Sequence, residues 1–195
     1  MGKVRLTPTS YVVLGMVAAT GRCTPYDLKR LLAQSVGYFW SFPHAQLYAE
    51  PARLAAAGLL AEQREQGGRN RRLYTVTPQG RSALRQWLGS PTAALGEIRD
   101  PGLLKLFFAD LGSEADLAAL ADTQLAAHRA RLVVYEGLAE NLKQLPGSDV
   151  RFRPLEMGLR FERTAVEFWA DVVRSAQRAV VAAGKAARPR RRASR

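Results

Sequence analysis

The feature that narrows the fold of this chain most is a repeated punctuation of its first 90 or so residues. Thr-Pro occurs at residues 7–8, 24–25 and 77–78, and Ser41-Phe42-Pro43 is a fourth signal of the same kind. A hydroxyl at the residue before a helix accepts a first-turn N–H, and proline suits the first helical position because the N–H it lacks would have no partner there. Apolar residues follow the first signal at helical spacing: Tyr11, Leu14, Val17 and Ala18, ended by Gly21. The second opens a stripe of Tyr26, Leu28, Leu31 and Leu32, with Asp27 in its first turn and Gly37 as its stop. Tyr38-Phe39-Trp40 then forms an aromatic connector. The helix opened by Ser41-Phe42-Pro43 runs to about Ala57, with Gly58 as its stop. Its core face is Leu47 and Leu54 with Ala45 and Ala55, and His44, Gln46, Tyr48, Glu50 and Arg53 lie outward. Pro51 interrupts this pattern. A proline inside a helix removes a hydrogen bond at about 3 kcal/mol, so a kink or irregular turn is expected there.

Residues 59–65 read as a strand, 66–70 (Gln-Gly-Gly-Arg-Asn) as a turn, and 71–76 as a second strand in which Leu73 and Thr75 alternate with Tyr74 and Val76. The last Thr-Pro opens a helix with Leu84, Trp87 and Leu88 on one side. The order helix, helix, helix, hairpin, helix predicts a winged helix-turn-helix over residues 1–89. The fold class is therefore mainly α with a small β-hairpin wing. Residues 90–100, flanked by Gly89 and containing Pro91 and Gly96, read as a linker. Residues 101–184 read as a helical dimerisation domain. It opens with a short, very apolar helix over 102–111, and Ser113 with Asp116 then forms a capping box ahead of a long helix. That helix carries Leu117, Leu120, Leu125, His128, Leu132, Tyr135, Leu138, Leu142 and Leu145, and Pro146-Gly147 breaks it. A last helix from about Pro154 to Ala183 has one stripe of Leu155, Leu159, Val166, Trp169, Val173, Ala176 and Val180, and another of Phe161, Phe168 and Val172. A helix apolar on two sides needs two neighbours, and in a chain of this size the second is a partner subunit. Residues 185–195 (KAARPRRRASR) are polar without periodicity and read as a basic disordered tail.

The formal net charge of +12 is unevenly placed. Residues 1–89 carry twelve Lys or Arg against four Asp or Glu, residues 90–184 eleven against thirteen, and residues 185–195 six against none. A basic front and tail around a near-neutral middle suit a chain whose front meets a polyanion and whose middle meets protein. No apolar stretch reaches membrane-spanning length, and the single cysteine, Cys23, forms no internal disulfide, so a cytoplasmic protein without a membrane partner is expected. There is no glycine-rich phosphate loop, no His-x-x-x-His pair and no cysteine cluster, so neither enzyme chemistry nor a metal or other cofactor is expected. His44 and His128 lie in different regions, and His128 on its apolar stripe reads as a satisfied interior or interface histidine.

The third helix is the element suited to enter a major groove, since a helix about 10–12 Å across matches the groove's width. Its candidate contacts to double-stranded DNA are Ser41, His44, Gln46, Tyr48 and Arg53. Glutamine can pair with adenine, arginine with guanine or phosphate, and a tyrosine hydroxyl with phosphate. At the wing tip Arg69, Arg71 and Arg72 stand beside two glycines, where arginine suits phosphate or the minor groove.

The segments PYDLKRLL (25–32), FPHAQLYAEPARLAAAGLL (42–60), RNRRLYTVTPQGRSAL (69–84) and LLKLFFA (103–109) together resemble the PadR family of bacterial transcription regulators, most closely over residues 7–110. Two positions depart from the family's pattern: Pro25 stands where glycine is common, and Pro51 where leucine is usual. The resemblance implies a homodimer that binds inverted-repeat operators, usually as a repressor, and that a small aromatic or lipophilic effector can release. An effector pocket would draw on Trp40, Phe107, Phe108, Phe168 and Trp169, the alternative for these aromatics being an ordinary core. Two other functions stay open on the residues. One is a ligand or protein-interaction module that has lost operator recognition, which Pro51 would explain. The other is a nucleic-acid-associated protein that binds by charge alone, in keeping with the tail.

Overall fold

All three Thr-Pro pairs open a helix. Helix α1 spans Pro8–Thr20, and its capping box is Thr7 N–H to Ser10 Oγ (2.8 Å) with Ser10 N–H to Thr7 Oγ1 (3.4 Å). Helix α2, Pro25–Ala33, repeats the device: Asp27 N–H donates to Thr24 Oγ1, and Thr24 N–H to Asp27 Oδ2, both at 3.1 Å. Between them lies a two-residue strand, β1 (Arg22–Cys23), reached through Gly21 at φ 80°. Helix α3 is His44–Ala56, strand β2 Leu60–Arg64, strand β3 Arg72–Val76, and helix α4 Pro78–Leu88. The structure, a computed structural model, describes residues 4–40, 43–65, 71–143 and 149–186, the side chains of residues 44, 149–151 and 182–186 excepted. The contacts divide the chain into two units, residues 1–95 and 96–195.

In the first unit α1, α2 and α3 pack over an antiparallel sheet of order β1-β3-β2. The predicted hairpin thus has a third strand, which residues 22–23 were too short to announce. Its core is Val13, Leu14, Val17, Leu28, Leu54, Leu59, Leu60, Tyr74, Val76 and Cys23. The register pairs Leu60 with Val76, Glu62 with Tyr74 and Arg64 with Arg72, so these six share one face, and Cys23 joins them opposite Tyr74. The junction of hairpin and α4 is tight. The Thr77 hydroxyl donates to the Gly58 carbonyl (2.7 Å) and accepts the Gly80 N–H (3.1 Å). Gly80 is itself so close to β2 that a Cβ there would stand 2.1 Å from the Leu59 carbonyl oxygen. Trp87 is half-exposed but lies flat on Tyr11, with ring centroids 4.6 Å apart and planes at 8°.

Three expectations for this unit are corrected. Helix α3 runs unbroken through Pro51, which is fully buried, so core contact overrides the local preference for a break. Ala45 is exposed, because the buried stripe of α3 is Leu47, Pro51 and Leu54. Leu88 is exposed, because α4 ends there.

The second unit has a short helix α5 (Pro101–Phe107), a 3-10 turn (Ala109–Leu111), and two long helices, α6 (Glu114–Lys143) and α7 (Asp149–Ala186). Asp100 Oδ1 caps α5 through Gly102 N–H (2.7 Å) and Leu103 N–H (3.1 Å). Ser113 and Asp116 form the predicted box ahead of α6, with Ser113 N–H to Asp116 Oδ2 and Asp116 N–H to Ser113 Oγ both at 3.1 Å. Helices α6 and α7 pack as an antiparallel pair. Ala121 and Leu125 meet Trp169 in one apolar cluster, and Tyr135 and Ala139 meet Leu159 in another. Between the clusters His128 Nδ1 lies 2.6 Å from Glu162 Oε2, the carboxylate only 3% exposed. This is the satisfied interior histidine expected from its stripe. Helix α7 starts one turn before the expected Pro154, which sits inside it on an exposed position, and Val180 is exposed rather than buried. The short helix expected over 102–111 is split by a turn at Phe108. Among the described residues no helix is long and apolar enough to cross a membrane. The break at Pro146-Gly147 and the basic stretch 187–195 lie outside the described residues.

Candidate nucleic-acid interface

The second helix of the helix-turn-helix is α3. Burial of Leu47, Pro51 and Leu54 leaves Gln46, Tyr48, Ala49 and Arg53 outward, with Tyr48 50% exposed. Gln46 is lightly held: its Oε1 accepts the Thr9 hydroxyl at 3.2 Å in an exposed contact. Ser41 and the side chain of His44 lie outside the described residues, as does Arg69.

Arg53 differs from its neighbours. It sits on the outward face, yet its guanidinium is engaged from three sides. Nε donates to Glu50 Oε2 (2.8 Å) and Nη2 to Glu50 Oε1 (2.6 Å), a bidentate pair. Nη2 also donates to Ser10 Oγ (2.9 Å), and Nη1 to the Arg5 carbonyl (3.3 Å). Ser10 is fully buried, so the contact reaches the first turn of α1. The Arg53 hydrogen bonds, helped by the Ser10 hydroxyl, hold the Glu50 carboxyl below the usual carboxylate range against the opposing effect of burial. From sequence Glu50 was placed on the outward face but given no role there, and Ser10 was not singled out. The Glu50-x-x-Arg53 spacing was the signal available for the first.

The wing arginines also separate. Arg72 Nε lies 3.7 Å and Arg64 Nε 3.3 Å from the same oxygen of Glu62, whose other oxygen accepts the Tyr74 hydroxyl at 3.1 Å. Burial raises the Glu62 carboxyl, but the Tyr74 and Arg64 bonds and the Arg72 charge outweigh it, and the net shift is downward. Arg71 is exposed and in no ion pair among the described residues, which makes it the freest described cation of the wing. Its charge adds to that of Arg30 at Asp27, whose carboxyl is held low first by the backbone N–H and then by the hydroxyl of Thr24.

The aromatic residues considered for an effector site differ in burial. Trp169 is 1% exposed and belongs to the core of the second unit. Phe168 packs edge-on against it (centroids 5.3 Å) and is 42% exposed. Phe107 and Phe108 meet each other edge-on at 5.0 Å, and both are largely exposed, as are Leu103, Leu104 and Leu111 beside them. Trp40 is half-exposed in the first unit.

Residues 13–86 match the family described as transcriptional regulator PadR-like family. Residues 98–176 match a second, described as virulence activator alpha C-term. The negative transcriptional regulator PadR of Bacillus subtilis is 28% identical over 134 residues, which make up 68% of this chain and 73% of that protein. The fold of B. subtilis PadR in complex with operator DNA superposes with a TM-score of 0.77 at 24% identity, covering 87% of this chain and 99% of that one. The same protein in complex with p-coumaric acid gives 0.72 at 22%, covering 89% and 99%. With a winged helix-turn-helix over its first unit and matches in chain order across both units, the chain resembles the PadR-like family of transcriptional regulators, whose match spans residues 13–86.

Proposed function

We propose that this regulator recognises an inverted-repeat operator as a homodimer and represses transcription from it in the cytoplasm. In this reading residues 1–89 are the DNA-binding head, 90–100 a linker, 101–184 the dimerisation and effector domain, and 185–195 a basic tail that adds sequence-independent affinity. The observation that carries the reading is the outward face of α3. Gln46 and Tyr48 are presented to solvent by a helix whose other face is locked into the core, within a head that carries most of the chain's excess positive charge. Gln46 and Tyr48, with Ser41 and His44, would meet base edges and phosphates in the major groove, and Arg69, Arg71 and Arg72 the backbone beside it. Solution of a relative with operator DNA supports the mode of binding.

Dimerisation is supported by apolar surface that the monomer leaves uncovered in its second unit, with Phe107, Leu111, Val133 and Phe161 all exposed. An effector of aromatic or lipophilic character is supported by a relative bound to p-coumaric acid and by the exposed Phe107, Phe108 and Phe168, whereas Trp169 serves as core. The test is selection from a random DNA library at physiological salt, followed by sequencing. An enriched inverted repeat with a specificity ratio of about 10³ or more is expected. Binding that enriches no sequence and collapses steeply with salt would replace this reading by charge-driven association.

A further inference from the structure

Pro51 removes one backbone bond from α3. In a regular helix the N–H of residue 51 would donate to the carbonyl of Leu47, and proline has none to give. The missing bond separates two parts of α3. Residues 51–56 are anchored in the core by Pro51 and Leu54. The part from His44 to Glu50 carries Gln46 and Tyr48, and among its described side chains Leu47 alone is buried. The Glu50–Arg53 pair spans the gap: Glu50 precedes the proline, Arg53 follows it, and the two are joined by two hydrogen bonds. The same guanidinium continues to buried Ser10 Oγ in the first turn of α1 and to the Arg5 carbonyl ahead of that helix. Ser10 Oγ is in turn fixed by the Thr7 N–H of the α1 capping box.

The donor count bears on what Arg53 can do. A guanidinium has five N–H donors. Nε, both on Nη2 and one on Nη1 are taken by Glu50, Ser10 and Arg5. A single Nη1 N–H is left, and bidentate recognition of guanine or phosphate needs two.

We propose that Arg53 is a positioning residue and not a DNA contact: by tying Glu50 to Ser10 across the bond missing at Pro51, it fixes the N-terminal part of α3 against α1 and so sets where Gln46 and Tyr48 are presented. The proposal rests on the DNA-binding reading for its consequence, but the clamp itself is testable without DNA. The variants are Arg53→Met, which keeps the apolar stem and loses every donor, Pro51→Ala, which restores the N–H, and the double variant. Glu50→Gln is a milder cut should Arg53→Met fold poorly.

Hydrogen exchange on the free full-length protein is the first readout. Arg53→Met should speed exchange about fivefold or more in residues 45–50 and leave α1 beyond its first turn and β3 unchanged. Pro51→Ala in the same chain should return it to near the wild-type rate. Unchanged exchange in Arg53→Met, or no return in the double variant, overturns the clamp whatever the protein binds. The second readout is affinity for the operator found by selection and for scrambled DNA. Arg53→Met should lower operator affinity about tenfold, shift scrambled-DNA binding less than about twofold and leave the salt slope unchanged, and Pro51→Ala should restore the operator affinity. A uniform loss with a salt slope reduced by about one, without rescue, would make Arg53 a phosphate contact. Wild-type protein that prefers no DNA sequence would remove the DNA-binding reading, while hydrogen exchange still decides the clamp.

Discussion

Substituting Gly80 by alanine tests the junction between hairpin and α4, because the structure predicts the opposite sign from a helix-propensity argument. Glycine inside a helix is about 1 kcal/mol worse than alanine, so Gly→Ala normally stabilises. At Gly80 the added Cβ would stand 2.1 Å from the Leu59 carbonyl oxygen, 3.0 Å from its carbon and 3.1 Å from Val76 Cγ1. The first two are backbone atoms and cannot rotate away, so α4 must draw back by roughly 1 Å to restore ordinary contact distances. The Leu59 oxygen also accepts the Thr77 N–H at 3.2 Å, and the Thr77 hydroxyl bridges to Gly58 at 2.7 Å, so the retreat weakens two bonds as well. Overpacking costs about 1–3 kcal/mol and each weakened bond up to about 1 kcal/mol. Set against the propensity gain, the expected loss is about 2–3 kcal/mol. For a unit of this size that is a fall in Tm of about 10–20 °C. Gly15 supplies the internal control: it lies in α1 with nothing within 4 Å of a Cβ, so Gly15→Ala should raise Tm by about 4–8 °C. Thermal unfolding of the full chain followed by circular dichroism reads both. If Gly80→Ala is neutral, or moves Tm upward with Gly15→Ala, the account of this junction is wrong.

Three further outcomes are expected. The Glu50 carboxyl is held low in the folded state, so its contribution is present above the unfolded carboxylate range and is lost as pH falls through it. Glu50→Gln should therefore lower stability by about 1 kcal/mol at pH 7 and flatten its decline toward pH 3, and an unchanged pH profile would contradict the role of the Arg53 pair. His128→Leu strands the nearly buried Glu162 carboxyl, so it should cost about 3 kcal/mol in urea unfolding. The His128→Leu/Glu162→Leu double variant should recover most of that, and a double variant worse than the single would show that the pair is not the unit of stability. Gly158→Ala in α7 would push a Cβ to 2.8 Å from the Tyr135 ring, so it should destabilise by about 1–2 kcal/mol despite better helix propensity, and Tyr135→Leu in the same chain should relieve it.

The head was largely legible because its signals are local. Thr7-Pro8, Thr24-Pro25 and Thr77-Pro78 each carry a helix start within four residues, and the alternation through Leu73, Tyr74, Thr75 and Val76 carries a strand. What escaped depended on distant partners. Strand β1 has two residues and exists only because Arg22 meets Thr75 and Cys23 meets Tyr74. Pro51 was read by its local cost, but full burial in the core decides its conformation. Arg53 was read as an outward cation because two of the groups that hold it, Ser10 and the Arg5 carbonyl, lie 43 and 48 residues away in sequence, and only its pairing with Glu50 is local. Trp169 and Phe168 fall on different stripes of one helix, and only packing shows which stripe is core and which is surface.

The central place of β3 in the sheet has a bearing on how such a head can vary. Because β1 pairs with β3 on one side and β2 on the other, and Thr77 ties the end of β3 to Gly58, the register of the hairpin is set at its base. The connection between the strands is therefore relieved of that task. Residues can be added or removed at its tip without turning Leu60, Tyr74 and Val76 out of the core. The reach of the wing and the number of its arginines can then drift from one relative to the next, while the helix beside it keeps its aim.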